Sequence, residues 1–279
     1  MSYADRVFKE ICRNILDHGV MVPEGKARTR WADGSEARYS SIHNVQHTYD
    51  VEKEFPVITL RKNMLKSSVE EILWIYQKKS NNIHDLSSHI WDQWADKEGS
   101  IGKAYGYQLA QKYKVKVGDR IVYMDQVDKM FHTLKTDPYS RRNIVTLYNP
   151  HDLADMALQP CAYLTHWYVE NDKLNMTLIQ RSQDMLVANG WNTMQYAALL
   201  CMVASSAGYG VGLFTHCIGD AHIYDRHMPI VEDLLASYEN PAPKVTYVKR
   251  DNFYDYTQDD FTIENYVYSN NLKNIEVAA

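Results

Sequence analysis

Apolar residues recur at helical spacing in some stretches of this chain and alternate with polar ones in others. Val7, Ile11 and Ile15 share one face of a run that stops before Gly19, which predicts an amphipathic N-terminal helix over Tyr3–His18. Residues 64–79 repeat the pattern with Leu65, Val69, Ile72, Leu73 and Tyr76. Residues 192–207 are apolar almost all round and end at Gly208, as expected of a buried central helix. Extended patterns cover 143–148, 162–169, 173–180, 212–218 and 244–249, and Glu170-Asn171-Asp172 joins two of them as a hairpin. Helices and hairpins in mixed order predict an α+β layer fold.

The hairpin carries a geometric consequence. Pairing outward from a turn at Asn171-Asp172 places Cys161 across from Ser182 and beside Arg181, at the open end of a two-stranded ribbon. An arginine there lowers a thiol's pKa and holds an anion.

Bulk properties limit what such a site serves. With 279 residues, 45% of them apolar, and no Pro/Gly/Ser-rich tract, residues 1–279 are expected to form one domain. A net charge of −5 with scattered Lys and Arg leaves no footprint for a nucleic-acid polymer or an anionic membrane. No apolar run reaches the roughly 18–20 residues of a membrane span, and the N-terminus lacks a charged-then-apolar leader, so a cytoplasmic protein is expected. Cys12, Cys161, Cys201 and Cys217 are far apart and show no C-x-x-C pair, which argues against a disulfide framework or a zinc site. Cys12 and Cys201 lie in apolar helical settings and read as core.

Pro160-Cys161 facing Gln180-Arg181-Ser182 offers a thiolate, a cation and a hydroxyl donor, the set required for covalent attack on a phosphorylated substrate. Alone, a cysteine beside a charged strand end is more often structural than reactive. Further cations stand at Ser140-Arg141-Arg142 and Arg28-Thr29, although paired arginines are more often solvated than ligand-binding. In Gly219-Asp220-Ala221-His222-Ile223-Tyr224, an extended segment puts His222 and Tyr224 on one side, where both can donate to a sugar hydroxyl.

In sequence order these pieces resemble the thymidylate synthase family. The likeness also takes in Phe55-Pro56, Glu71-Ile72-Leu73-Trp74, Ile90-Trp91-Asp92-Gln93-Trp94, Tyr105-Gly106, Asp125-Gln126, Asp137-Pro138, Met156-Ala157-Leu158, Asp184 and Asn192, and so spans the chain. It implies the family's α+β fold, with a large mixed sheet at a homodimer interface over the central helix.

The resemblance also implies roles. Cys161 would add to C6 of deoxyuridylate (dUMP), making C5 nucleophilic. Arg28, Gln180, Arg181 and Ser182 would bind the nucleotide, with Arg141 and Arg142 reaching its phosphate from the other subunit. His222 and Tyr224 would bond the ribose, and Asn192 would read uracil N3–H and O4. Glu71 would organise water and move protons, and Tyr105 would help remove the C5 proton. The co-substrate would be 5,10-methylenetetrahydrofolate, with no metal. Asp184 would bond its pterin, while Trp91, Trp94, Leu158, Ala188, Trp191 and the C-terminal Ala279 would surround it. Lys62 or Arg61 would meet its glutamate tail, and residues 275–279 would close over the complex.

The chain departs from the family where nucleotide and folate meet. Ala188, Gly190 and Trp191 stand where glycine, proline and phenylalanine are usual. Ala188 is expected to crowd the ligand, Gly190 to free a φ angle, and Trp191 to enlarge the apolar wall. Ala162, Thr48, Leu213 and Arg61 replace a usual histidine, arginine, acidic residue and lysine. The expected reaction is reductive methylation of dUMP to dTMP. Its rivals are a dUMP 5-hydroxymethylase, in which water captures the transferred carbon, and a non-catalytic homologue that binds nucleotide or RNA.

Overall fold

The computed structural model describes residues 2–279. Its helices are α1 (Tyr3–His18), α2 (Leu65–Tyr76), α3 (Gly106–Ala110), α4 (Gln126–Thr136), α5 (Asn189–Ala207) and α6 (Met228–Ala236). Its strands are β1 (Val20–Met21), β2 (Tyr39–Asp50), β3 (Tyr113–Val117), β4 (Arg120–Met124), β5 (Ile144–Thr146), β6 (Ala162–Glu170), β7 (Lys173–Gln180), β8 (Gln183–Asp184), β9 (Gly210–Tyr224), β10 (Lys244–Tyr247) and β11 (Phe261–Glu264).

A seven-stranded sheet runs β1-β2-β9-β7-β6-β5, with β8 alongside β9. It is mixed: β7 and β9 are parallel, while β2 with β9 and β6 with β7 are antiparallel. Parallel neighbours need a crossover, and α5 supplies it. The expectation of an α+β fold with a large mixed sheet and a buried central helix is met.

α5 buries 15 of its 19 residues, which is why its sequence shows no polar face. It packs on α2, α4, β7 and β9, and Gly208 at φ 81° ends it in the left-handed conformation. α1 has the predicted bounds and buries Val7, Phe8, Ile11, Cys12 and Ile15. Cys12 and Cys201 are core residues, as expected.

α5 starts three residues before the apolar run, at Asn189. Gly190 therefore lies in its first turn, where an added Cβ would sit 2.7 Å from Asn63 Oδ1. Close packing, rather than the released φ expected from the sequence, is the use of glycine there.

The β6–β7 hairpin turns through Asn171 and Asp172, both at positive φ, as a two-residue type I′ turn requires. Its register follows the predicted pairing from Glu170↔Lys173 to Leu164↔Ile179, then shifts so that Ala162 faces Gln180. That bulge corrects the sequence-based pairing: Cys161 stands opposite Arg181, whose N–H donates to Cys161 O at 2.9 Å, and not opposite Ser182. Among the described residues no helix is long and apolar enough to cross a membrane.

Candidate active site

At the carboxyl ends of parallel β7 and β9 lies a cavity of about 540 Å³, lined by Cys161, Arg181 and Asn192 among others. Strand polarity accounts for the convergence. β6 runs against β7, so the residue before β6 and the residue after β7 meet at one end of the ribbon.

Arg181 straps the cysteine turn. Its Nε donates to Pro160 O at 3.1 Å, its Nη2 to Gln159 O at 2.8 Å, and Nη2 lies 3.6 Å from Cys161 Sγ. The Cys161 N–H donates to Tyr105 Oη at 3.4 Å. Tyr105 itself is held at φ 44°, and an added Cβ on the following Gly106 would lie 2.1 Å from Ser80 O. A tyrosine in so sparsely populated a conformation, beside a glycine that no other residue can replace without movement, is strain stored at the site.

Burial pushes the Cys161 thiol above its ordinary value, while Arg181 and then Arg28 pull it down. The arginines act in the direction expected from the sequence, but desolvation outweighs them in the single chain. Burial likewise keeps Tyr105 a neutral phenol.

His222 and Tyr224 project from one side of β9 into the same cavity. His222 Nδ1 bonds Asp220 Oδ1 at 2.8 Å, which fixes the ring and leaves Nε2 for a ligand. Burial pushes the Tyr224 phenol up to about 12, with Thr29 bonded to it. Asn192, in the second turn of α5, donates from Nδ2 to Gln183 Oε1 at 3.4 Å. Gln183 is fully buried and orients that amide, a part the sequence reading missed. Gln180 lines the cavity, yet its amide is engaged at 2.8 Å with Ser182 O and at 2.9 Å with His216. Burial pushes His216 down to about 3, so it is neutral and donates to Gln180.

The apolar wall holds Trp91, Trp94, Leu158, Ala188 and Trp191. Trp191 is more than wall: its indole N–H, those of Trp91 and the Gln195 amide all meet the Glu71 carboxylate. At the far end, Asp184 Oδ1 accepts the Leu186 and Val187 N–H groups at 2.9 and 3.0 Å. Asp184 Oδ2 lies 3.9 Å from His227 Nδ1, a buried atom with no hydrogen-bond partner among the described residues. Asp184 lines the cavity, whereas His227 lies behind it, with Nε2 donating to Glu276 O at 2.9 Å.

The tail closes the cavity with Val277, Ala278 and Ala279. Four other expected positions lie elsewhere. Arg61 lies outside the lining, where its Nη2 donates to Leu186 O and Val187 O at 2.5 and 3.1 Å and so braces the loop before α5. Lys62 is exposed and outside the lining, as are Arg141 and Arg142 in the turn before β5.

A half-buried thiol beside a guanidinium, a carboxylate in a tryptophan wall and an amide side chain share one cavity, the groups that an enzyme of covalent catalysis brings together. The thymidylate synthase family model matches residues 6–279. A thymidylate synthase of Bacillus licheniformis is 40% identical, with 98% of each chain covered. That of Bacillus phage phi3T is 39% identical over the same share. The thermostable thymidylate synthase A from Bacillus subtilis superposes with a TM-score of 0.92 at 39% identity, covering 99% of both chains. The chain belongs to the thymidylate synthase family, whose members are methyltransferases.

Proposed function

We propose that this chain methylates dUMP to dTMP with 5,10-methylenetetrahydrofolate, and that Cys161 Sγ forms the covalent bond to C6 of uracil. The observation that carries the reading is the Cys161–Arg181 pair, 3.6 Å apart, in the cavity that also holds Asn192 and Glu71. Arg28, Arg181 and Ser182 bind the phosphate, and His222 and Tyr224 bind the ribose. Asn192 pairs with the base, accepting from N3–H and donating to O4. Addition of sulfur at C6 pushes electrons onto O4 and makes C5 nucleophilic, with Glu71 and Tyr105 handling protons. Bound folate supplies both the carbon and the hydride. Trp91, Trp94 and Trp191 on one side, Asp184 on the other and the tail across the opening would hold it.

The working unit is a two-fold dimer. One sheet face is covered by α5, whereas Leu164, Ile179 and Cys217 stand in a row across the other and are only partly buried in the single chain. Pairing of those faces covers the row and brings the partner's turn over the phosphate. Two more guanidiniums there add to the downward pull of Arg181 and Arg28 against burial of the thiol. The four free cysteines support a reducing, cytoplasmic compartment.

Release of tritium from [5-³H]dUMP, together with formation of dihydrofolate, tests the assignment. Product of hydroxymethyl rather than methyl mass would replace methylase by hydroxymethylase. Absence of release would leave only a binding protein. Asn192→Asp is expected to raise the ratio of kcat/KM for dCMP over dUMP by at least about tenfold, because the carboxylate accepts from the cytosine amine and cannot donate to O4. Competition between the two nucleotides measures it, and an unchanged ratio removes Asn192 from base recognition.

A further inference from the structure

Glu71 lies on α2, buried, and meets only donors. Trp91 Nε1 donates to Oε1 at 2.6 Å, while Trp191 Nε1 and Gln195 Nε2 donate to Oε2 at 2.5 and 2.7 Å. Trp191 and Gln195 are four residues apart on α5 and so reach the same oxygen from one helix face. An indole nitrogen has no acceptor capacity, and a protonated Oε2 would turn its hydrogen towards two donors. The cage suits an anion.

We propose that Trp191 is a positioning residue for proton transfer: its indole N–H clamps Glu71 Oε2 in one orientation and keeps the carboxyl group ionised at the edge of the cavity. The proposal rests on the reading of Glu71 as the group that moves protons. At this position the family's usual phenylalanine would keep the apolar wall and lose the hydrogen bond.

Burial pushes the Glu71 carboxyl above its ordinary value, and the hydrogen bonds from Trp191, Trp91 and Gln195 offset only part of that rise. The other titratable side chains that feel its charge are Tyr105 and Tyr196, both kept neutral by burial, with Cys161 and Arg181 beyond Tyr105. Neither tyrosine carries a charge that could stand in for the lost donor. Loss of the Trp191 N–H therefore raises the Glu71 pKa, by about one pH unit for a hydrogen bond to an ion.

The test is the pH profile of kcat for Trp191→Phe, beside Glu71→Gln and wild type. For Trp191→Phe, the limb on which activity falls as pH is lowered moves up by about one unit. KM for dUMP stays the same, and kcat recovers towards wild type at higher pH. Glu71→Gln loses that limb and about a hundredfold or more of kcat. If Glu71→Gln is inactive while the limb of Trp191→Phe stays in place, the role of Glu71 stands and that of Trp191 is overturned. A uniform fall in kcat across pH for Trp191→Phe also overturns it, because packing alone would then account for the loss. If Glu71→Gln turns over like wild type, the underlying reading of Glu71 fails and the proposal fails with it.

Discussion

Cys161→Ser is expected to lower turnover by at least about a thousandfold while leaving dUMP bound. Burial already pushes the thiol above its ordinary value, and a hydroxyl in its place ionises far less readily. The phosphate site does not depend on the sulfur. Arg181 is held by the Gln159 and Pro160 carbonyls, and its backbone by the ladder to Cys161 O, all of which a serine preserves. Calorimetric titration with dUMP and tritium release, run on the same preparation, separate the two effects. Residual turnover above about 1% of wild type removes Cys161 from the nucleophile's role, since no catalytic group of this kind is replaced so cheaply. Loss of dUMP binding would instead tie the sulfur to the architecture of the phosphate site.

The meeting of Cys161 with Arg181 was legible because a hairpin turn fixes what lies opposite what, but the one-residue bulge before Leu164 was not. No side-chain pattern in Cys161–Leu164 announces it. β2 was invisible for another reason. Its Ser40, Ser41, His43, Gln46 and Thr48 show no apolar alternation, and the strand is held by its backbone ladder to β9. The β3–β4 hairpin does carry a signal in the alternating Tyr113-Lys114-Val115-Lys116-Val117. Within the site, Glu71 and Trp191 each come from the resemblance alone, and their hydrogen bond required knowing that α5 faces α2. Arg61 shows the converse. The resemblance offers Arg61 or Lys62 to a ligand, whereas the fold sets Arg61 Nη2 on the Leu186 and Val187 carbonyls.

The same loop bears on the fate of the transferred carbon, and removal of residues 277–279 is expected to uncouple the two halves of the reaction. Those residues line the cavity, and Ala279 is paired with Arg30 through backbone bonds of 2.8 and 3.0 Å. Glu276, just before them, is anchored independently. Its Oε1 accepts the Ala32 N–H at 2.9 Å, its Oε2 lies 3.1 Å from Arg226 Nη1, and its carbonyl accepts from His227 Nε2 at 2.9 Å. The cut therefore opens one wall without releasing the root of the tail or disturbing Cys161, Asn192 or the arginines. Addition at C6 and loss of the C5 proton should persist, so tritium release falls only partly. Reduction of the C5 methylene needs water kept out, and with the wall open dihydrofolate formation should fall by about a hundredfold or more. The nucleotide mass reports the outcome, because water captured in place of hydride leaves a hydroxymethyl group. A parallel fall in tritium release and dihydrofolate would mean that the tail serves binding as a whole and not the second step. A hydroxymethyl product from the intact chain would show that Ala188 and Trp191 already admit water with the tail closed, and would overturn the methylase assignment while leaving every nucleotide contact in place.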